Sequence, residues 1–387
     1  MPRAPGALLT VLLLAAPAAA ADFDALVQRI KSVGPEGAGS AEAAAAWKEL
    51  SRLGPDDLPR LLAALDGAAP TAANYLRSAI DAVAERARAA RRPLPAAALE
   101  SFLHDTKHSG RARRLAYELL CTADPTASKR LLPTFLNDPG AELRYEAVAV
   151  AVAEARQQPK ESVAAKATLR KLFAAARDND QVEEIAKELE ARGETVDRVG
   201  HFGFIRHWHV AGVFDSTGGK GFQAVYPPEQ GVDLKAKYAG KNGRQVVWRP
   251  HTTTESDGKV DLNKLFDDPK DKDKHEKDAV AYAYAVVEST EERPVEVRAA
   301  SATAVKVFVN GREVLAREAY HQGFDQDSYV GPARLRKGRN AVLVKVCQNN
   351  QTEPFAQNWM FQLRLTDGLG AAVPLTVLPP DAAAKEP

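Results

Sequence analysis

Cysteine is scarce in this chain: two in 387 residues, Cys121 and Cys347. Two thiols in stretches that read as separate domains make no disulfide framework, and both are expected to be free thiols packed as small hydrophobes. Charge of one sign is lacking too, with 52 Lys and Arg against 51 Asp and Glu for a formal net charge of +1. That balance excludes a chain-wide basic surface for nucleic acid and gives no support for a membrane-surface protein. After residue 22 no apolar run approaches the ~20 residues that span a bilayer, so no membrane span is expected. Missing as well are G-x-S-x-G, a Walker loop, G-x-G-x-x-G and a Cys–His framework, which removes the local motifs of nucleophilic, phosphoryl-transfer and dinucleotide chemistry. Glycosidase carboxylates are placed by fold rather than by local spacing, so spacing does not test for them.

Residues 1–21 have the order of a secretory signal peptide: Arg3 at the positive end, an apolar stretch from Leu8 to Ala16, Pro17, then the small residues Ala18 to Ala21 before Asp22. No cysteine stands near the cleavage region, which argues against a lipid anchor. The mature chain is therefore expected to be exported, to the periplasm or the extracellular space.

From Asp22 to residue 195 the period is helical, with apolar residues at i, i+3, i+4 and i+7, as in Leu143, Ala147, Val148, Ala151 and Ala155. Breaks at Gly34-Pro35, Gly54-Pro55, Gly67–Pro70, Pro93–Pro95, Asp124-Pro125, Asp138-Pro139-Gly140 and Gln158-Pro159 cut the run into short helices. Two basic clusters, Arg86–Arg92 and Arg111–Arg114, read as solvated or salt-bridged helix faces. One unit has a helix ending on Leu136, an Asn137-Asp138-Pro139-Gly140 turn, and a helix opening Leu143-Arg144-x-Glu146-Ala147. It resembles a HEAT-type repeat, with an Asp in the inter-helix turn and a hydrophobic-Arg-x-x-Ala opening. Looser echoes occur at 99–119 and 58–80. The resemblance implies an α-solenoid of antiparallel helix pairs, each burying its apolar face on its neighbour.

From residue 196 to 375 alanine thins out and the period becomes two. Val305, Val307 and Val309 alternate up to Asn310-Gly311, the strongest short hairpin signal. Lys337-Gly338-Arg339-Asn340 turns into Val342, Val344 and Val346, and Phe361, Leu363 and Leu365 lead into Asp367-Gly368. Short strands with no helical crossovers argue an antiparallel β-sandwich. The charged stretch 267–278 reads as a mobile loop, and 376–387 as a disordered tail. The segments Trp208–Phe214, Tyr226-Pro227-Pro228-Glu229, Val305–Gly311 (VKVFVNG) and Leu335–Val346 (LRKGRNAVLVKV) resemble the galactose-binding-like jelly roll, in particular copies appended to exported bacterial proteins and glycosidases. That family includes sugar binders and inert spacers, so it implies a fold more than an activity.

Candidate sites stand out from this pattern. His207 and His209, two apart on a strand, share a face and would bind Zn²⁺ or Cu²⁺ if His201 or His251 approached; the alternative is that Trp208 and Val210 face the core and the histidines face solvent. Asp325 and Asp327 are candidates for a structural calcium, which the jelly-roll resemblance implies, whereas Asp271 and Asp273 read as solvated. Trp208 and Trp359 read as core. Trp248 with Arg249, at a strand end, reads as exposed and able to stack on a sugar ring; Tyr320 and His321 lie in the loop after the hairpin. So sparse a site implies simple-sugar binding no tighter than about millimolar.

The pairing of two folds that usually bind, with no chemistry-bearing motif in either, reads as a non-catalytic exported binding or scaffold protein. Helical repeats would hold a protein partner and the sandwich would be a weak glycan-binding module. One alternative is an enzyme of polysaccharide breakdown with the sandwich as accessory domain. Another is a metal-binding protein acting through His207 and His209.

Overall fold

The computed structural model describes residues 22–268 and 275–383. The expected signal peptide, Asp271 and Asp273 lie outside the described residues. Helices come first and antiparallel sheets second, and the chain divides into two compact units, Met1–Arg144 and Tyr145–Pro387.

The first unit holds α1 (Phe23–Lys31), α2 (Ser40–Leu50), α3 (Leu58–Ala63), α4 (Pro70–Ala89), α5 (Ala96–His104), α6 (Gly110–Ala123), α7 (Ala127–Leu131) and the start of α8 (Ala141–Arg156). Local chemistry sets several starts. Asp22 and Ser109 accept from backbone N–H groups in the first turns of α1 and α6, and α4 opens on Pro70. Leu76, Ile80 and Val83 form the buried stripe of α4. Successive helices pack in pairs, α1 on α2, α3 on α4 and α5 on α6.

The turns between them are stitched together. Lys31 Nζ donates to Asp66 O (2.9 Å), and the Asp66 carboxylate accepts from Ser109 N (2.8 Å) and contacts His108 Nδ1 (2.7 Å). Arg113 reaches Asp138 through both terminal nitrogens (2.8 and 2.6 Å), and Arg144 donates to Asp138 O (2.7 Å). Gly110 and Gly140 touch here: a Cβ on either would stand within 3.2 Å of the other's Cα. The Asp of the Asn137–Gly140 turn is thus a buried ion-pair partner of α6 rather than a solvated turn former.

The second unit opens with the rest of α8, then α9 (Val163–Ala175), α10 (Asn179–Glu190) and α11 (Arg198–Phe202). Composition changes near 195, yet these helices belong to the same compact unit as the strands. The reason is local. Arg364 on the sheet, 2% exposed, donates to Phe202 O (3.2 Å) and lies over the Phe202 ring, and Ile205 N donates to Leu363 O (2.9 Å).

The remaining elements are β1 (His207–Asp215), α12 (Pro227–Gln230), β2 (Lys237–Ala239), β3 (Gln245–Val247), β4 (Arg249–Thr252), β5 (Val260–Asp261), α13 (Leu262–Phe266), β6 (Ala279–Ser289), β7 (Arg293–Ser301), β8 (Ala304–Val309), β9 (Arg312–Arg317), β10 (Tyr329–Leu335), β11 (Gly338–Gln348), β12 (Met360–Thr366), β13 (Thr376–Val377) and α14 (Pro380–Ala383). A seven-stranded antiparallel sheet runs β4-β1-β6-β11-β8-β9, with β13 also on β6; a four-stranded sheet runs β10-β7-β12-β5; β2 and β3 pair by themselves. Asn310 (φ 52°) and Gly311 (φ 79°) both take the left-handed region in the β8–β9 hairpin. Alternation does what the sequence indicates. Val305, Val307, Val342, Val344 and Val346 of one sheet share an apolar cluster with Val295, Val297, Phe361 and Leu363 of the other.

The opposite face of the larger sheet is also covered. Val280 and Tyr282 on β6, Leu343 and Cys347 on β11 and Phe214 on β1 lie beneath Phe222, Val246 and Trp248, with Tyr226 and Tyr238 at the margin. At the centre Lys345 Nζ donates to Ala224 O (2.6 Å) and Glu229 Oε1 (2.9 Å), and Tyr282 donates to the same carboxylate. Of the tail expected to be disordered, residues 376–383 take regular structure, and 384–387 lie outside the described residues. Thr376 and Val377 pair with Glu288 and Val287, Leu378 N donates to Val286 O, and α14 lies against β1, β4 and β6. Free ladder positions on β6 beyond the start of β1 are what order it.

Candidate functional site

Trp248 is not exposed. It is 7% accessible, belongs to the outer apolar layer, donates to Tyr238 Oη (3.3 Å) and meets Tyr284 edge-on. The strand-end reading failed because residues 216–248 fold back over the sheet and make Trp248 part of the cover. Arg249 is exposed on β4, where it pairs in register with Val210. Tyr320 packs half-buried at the margin of the same layer, which pushes its hydroxyl well above the usual tyrosine range. His321 (φ 59°) sits between Tyr320 and Phe355 with Nε2 3.4 Å from Asn349 Nδ2. Among the described residues no hydrogen bond or ring contact joins Trp248 or Arg249 to Tyr320 or His321, so the structure does not assemble these four into one site.

Trp208 and Val210 face the core, at 1% and 2% exposure, and His207 and His209 point the other way. His207 Nδ1 lies 3.0 Å from Thr252 Oγ1. His209 is buried near Asp381, and desolvation holds its pKa below the usual value. The two partners needed for a metal are elsewhere. His251 stands opposite Trp208 and so faces away, and His201 lies tilted against Phe173 (4.4 Å) with Nε2 bonding Ala176 O. Asp327 takes Arg364 Nε (2.8 Å) and Arg298 Nη1 (3.0 Å) on its carboxylate, while Asp325 lies exposed at a turn whose carbonyl accepts from Ser328. Among the described residues no three His, Cys, Asp or Glu side chains cluster as a metal site. Both oxygens of Asp327 accept from the guanidinium groups of Arg364 and Arg298.

Lys345, Glu229, Tyr282 and Cys347 form a buried group of ionisable side chains. Desolvation raises the tyrosine well above its usual range and the Cys347 thiol to about 12. Lys345 is fully buried, so this group holds the outer cover to the sheet rather than meeting a ligand.

Sequence reading missed two clefts. One, of about 640 Å³, lies in the first unit beside the C-terminal end of α4. Leu94, Leu119, Ala84 and Ala123 line it, and Arg91 and Arg92 stand exposed at its rim. The Arg86–Arg92 run was the signal, but its members separate. Arg86 bonds the carbonyls of Ser51 and Leu53, and Arg88 pairs with Glu85. Arg91 and Arg92 have no ion-pair partner among the described residues. Arg91 takes φ 54° to end the helix, and Arg92 N closes the end on Ala87 O (2.8 Å). Asp81 also lines the cleft, and desolvation raises its pKa. The second cleft, about 520 Å³, lies between β9 and β10.

No protein-family model matches the chain, and no curated protein matches its sequence. Among solved structures it is similar to an anti-sigma factor domain-containing protein at 10% identity, over 46% of this chain and 48% of that one, with a TM-score of 0.26. It is also similar to a β-glucosidase from Kluyveromyces marxianus in complex with glucose (10% identity, 43% of this chain and 17% of that one, TM-score 0.25). A β-glycosidase from Bacteroides vulgatus matches at 13% identity, over 42% and 20%, with a TM-score of 0.22. The chain spans less than half the length of each. Among the described residues no helix is long and apolar enough to cross a membrane.

Proposed function

We propose that this chain is a non-catalytic, exported binding and scaffold protein. In this reading the helices are HEAT-like pairs forming a short solenoid that holds a protein partner. The strands form a galactose-binding-like β-sandwich that serves as a weak glycan module. The turn-to-turn bonding of Asp66 and Asp138 supports repeat stacking, since each carboxylate ties one helix pair to another. Two antiparallel sheets sharing one apolar cluster support the sandwich.

The cleft beside α4 carries the reading. Two unpaired guanidinium groups beside Leu94 and Leu119 suit an acidic segment of a partner protein that inserts an apolar side chain. Long-range attraction to such a segment is screened within about 8 Å at physiological salt, so capture should weaken as salt rises. The test is affinity capture from a cell-envelope extract with the wild type and with Arg91→Glu/Arg92→Glu. A partner retained by the wild type and lost from the charge-reversed protein supports the reading; equal retention by both, or none by either, sinks it.

A further inference from the structure

The larger sheet ends at β9 and the smaller at β10, and these two free edges meet. Gly331 permits the approach, because a Cβ there would collide with the Val314 carbonyl oxygen. Beside this pinch is the cleft of about 520 Å³, floored by Val309, Val314, Pro332 and Ala333. Arg312 and Arg336 stand exposed on its wall, and neither guanidinium has a hydrogen-bond or ion-pair partner among the described residues. A third arginine, Arg334, is held by Glu292 at 3.0 Å.

The two free cations sit on turns that are locked to each other. Asn340, 1% exposed, accepts on Oδ1 from Asn310 Nδ2 (2.8 Å) and from Arg336 N (2.8 Å), and donates from Nδ2 to Arg336 O (2.8 Å). Asn310 Oδ1 accepts in return from Ala341 N (3.0 Å). Arg312 follows the Asn310-Gly311 turn directly and Arg336 opens the turn into β11, so the backbone beneath both side chains is fixed before any ligand arrives.

We propose that this cleft binds the anionic group of an acidic saccharide, a uronate or a sugar sulfate, between the Arg312 and Arg336 guanidinium groups. The proposal rests on the reading of the β unit as a glycan module and names its substrate class. Guanidinium forks match planar carboxylates and sulfate oxygens in pairs, and no internal acid competes for these two. The exposed ring of Pro332 and the side chain of Val314 offer an apolar patch to the C–H face of a pyranose. Glu292 supplies an acceptor for hydroxyls. An extended peptide fits less well, because Pro332 removes a backbone donor from the β10 edge on which a strand would have to pair.

Calorimetry on the full chain tests this with a galacturonate trisaccharide, a chondroitin sulfate tetrasaccharide, neutral galactotriose and a Glu-rich heptapeptide. One or both acidic saccharides should bind at least about tenfold more tightly than galactotriose. Arg312→Gln/Arg336→Gln should remove that preference without moving the thermal melt, since both side chains are exposed and unpartnered; Arg336→Gln alone should remove part of it. If galactotriose binds as well as the acidic saccharides, the anion proposal falls and the glycan-module reading stands. If no saccharide binds, both fall. Heptapeptide binding equal to that of the acidic saccharides, or a preference indifferent to both arginines, also overturns the proposal.

Discussion

Lys345 Nζ lies 2.9 Å from Glu229 Oε1, with the two side chains 0% and 8% exposed, so the outer cover is fastened to the sheet by an ion pair shut off from water. The pair is satisfied by neighbours, with Ala224 O accepting from the ammonium and Tyr282 donating to the carboxylate. Such a pair adds little over apolar residues of the same shape, but breaking one side leaves an uncompensated buried charge. Lys345→Met is therefore expected to cost about 3–5 kcal/mol in urea denaturation, while Lys345→Met/Glu229→Gln recovers at least about 1 kcal/mol of it. A double variant no more stable than Lys345→Met alone would show that the charge is not what matters.

Trp248 follows from the same cover. Its ring lies in the outer apolar layer and its Nε1 bonds Tyr238, so removing it opens a cavity rather than clearing a ligand platform. Trp248→Ala is expected to destabilise the β unit by about 3–5 kcal/mol. An unchanged unfolding midpoint would mean that Trp248 is exposed after all.

The strands legible in the sequence were those whose two faces differ. On β8 and β11 the inward valines alternate with mixed residues, and Asn310-Gly311 marks the hairpin. The site was less legible for two reasons. The outward residues Tyr282, Lys345 and Cys347 have no common polarity, so nothing local announces that residues 216–248 cover them. Arg312 and Arg336 are ordinary exposed arginines in sequence; only the meeting of the two sheet edges puts them beside one cleft. Within the basic runs, the sequence does not separate the salt-bridged arginines from the solvated ones. Arg113 and Arg91 look alike on the page, yet one is buried on Asp138 and the other is exposed without an ion-pair partner.

Histidine burial sets an acid limit on stability. Desolvation, between Phe173 and Phe202, lowers the His201 pKa to about 4, and burial shifts His207, His209 and His251 in the same direction. Between about pH 6.5 and 4 the unfolded chain binds protons that the folded chain refuses, so stability is present in full at neutral pH and falls as pH drops. His201 alone should contribute on the order of 1 kcal/mol of loss between pH 7 and 5. Urea midpoints measured at both values should move closer together in His201→Phe. An identical gap in that variant would assign the acid sensitivity to other groups.

Proteolysis separates the boundary that composition suggests from the one that packing makes. Around residue 195 the backbone is held on several sides. Both Glu194 carboxylate oxygens bond Arg170 (2.7 and 2.7 Å), Asp197 caps α11, and Arg364 bonds Phe202 O. Cleavage needs a local opening, and such contacts raise its free-energy cost. The connection between α8 and α9 has no such ties at Lys160, which is exposed in the exposed run 157–161. Between α8 and β1, trypsin is therefore expected to cut after Lys160 before any other site, leaving α9 to α11 with the strands. Arg364→Met, which frees Phe202 O and Gly370 O while Arg298 still holds Asp327, should open 194–203 to cutting. Mass spectrometry of the first fragments decides it: a wild-type cut between 194 and 203 that precedes the one at 160 would show that the helices from α9 onward are not anchored to the sheets.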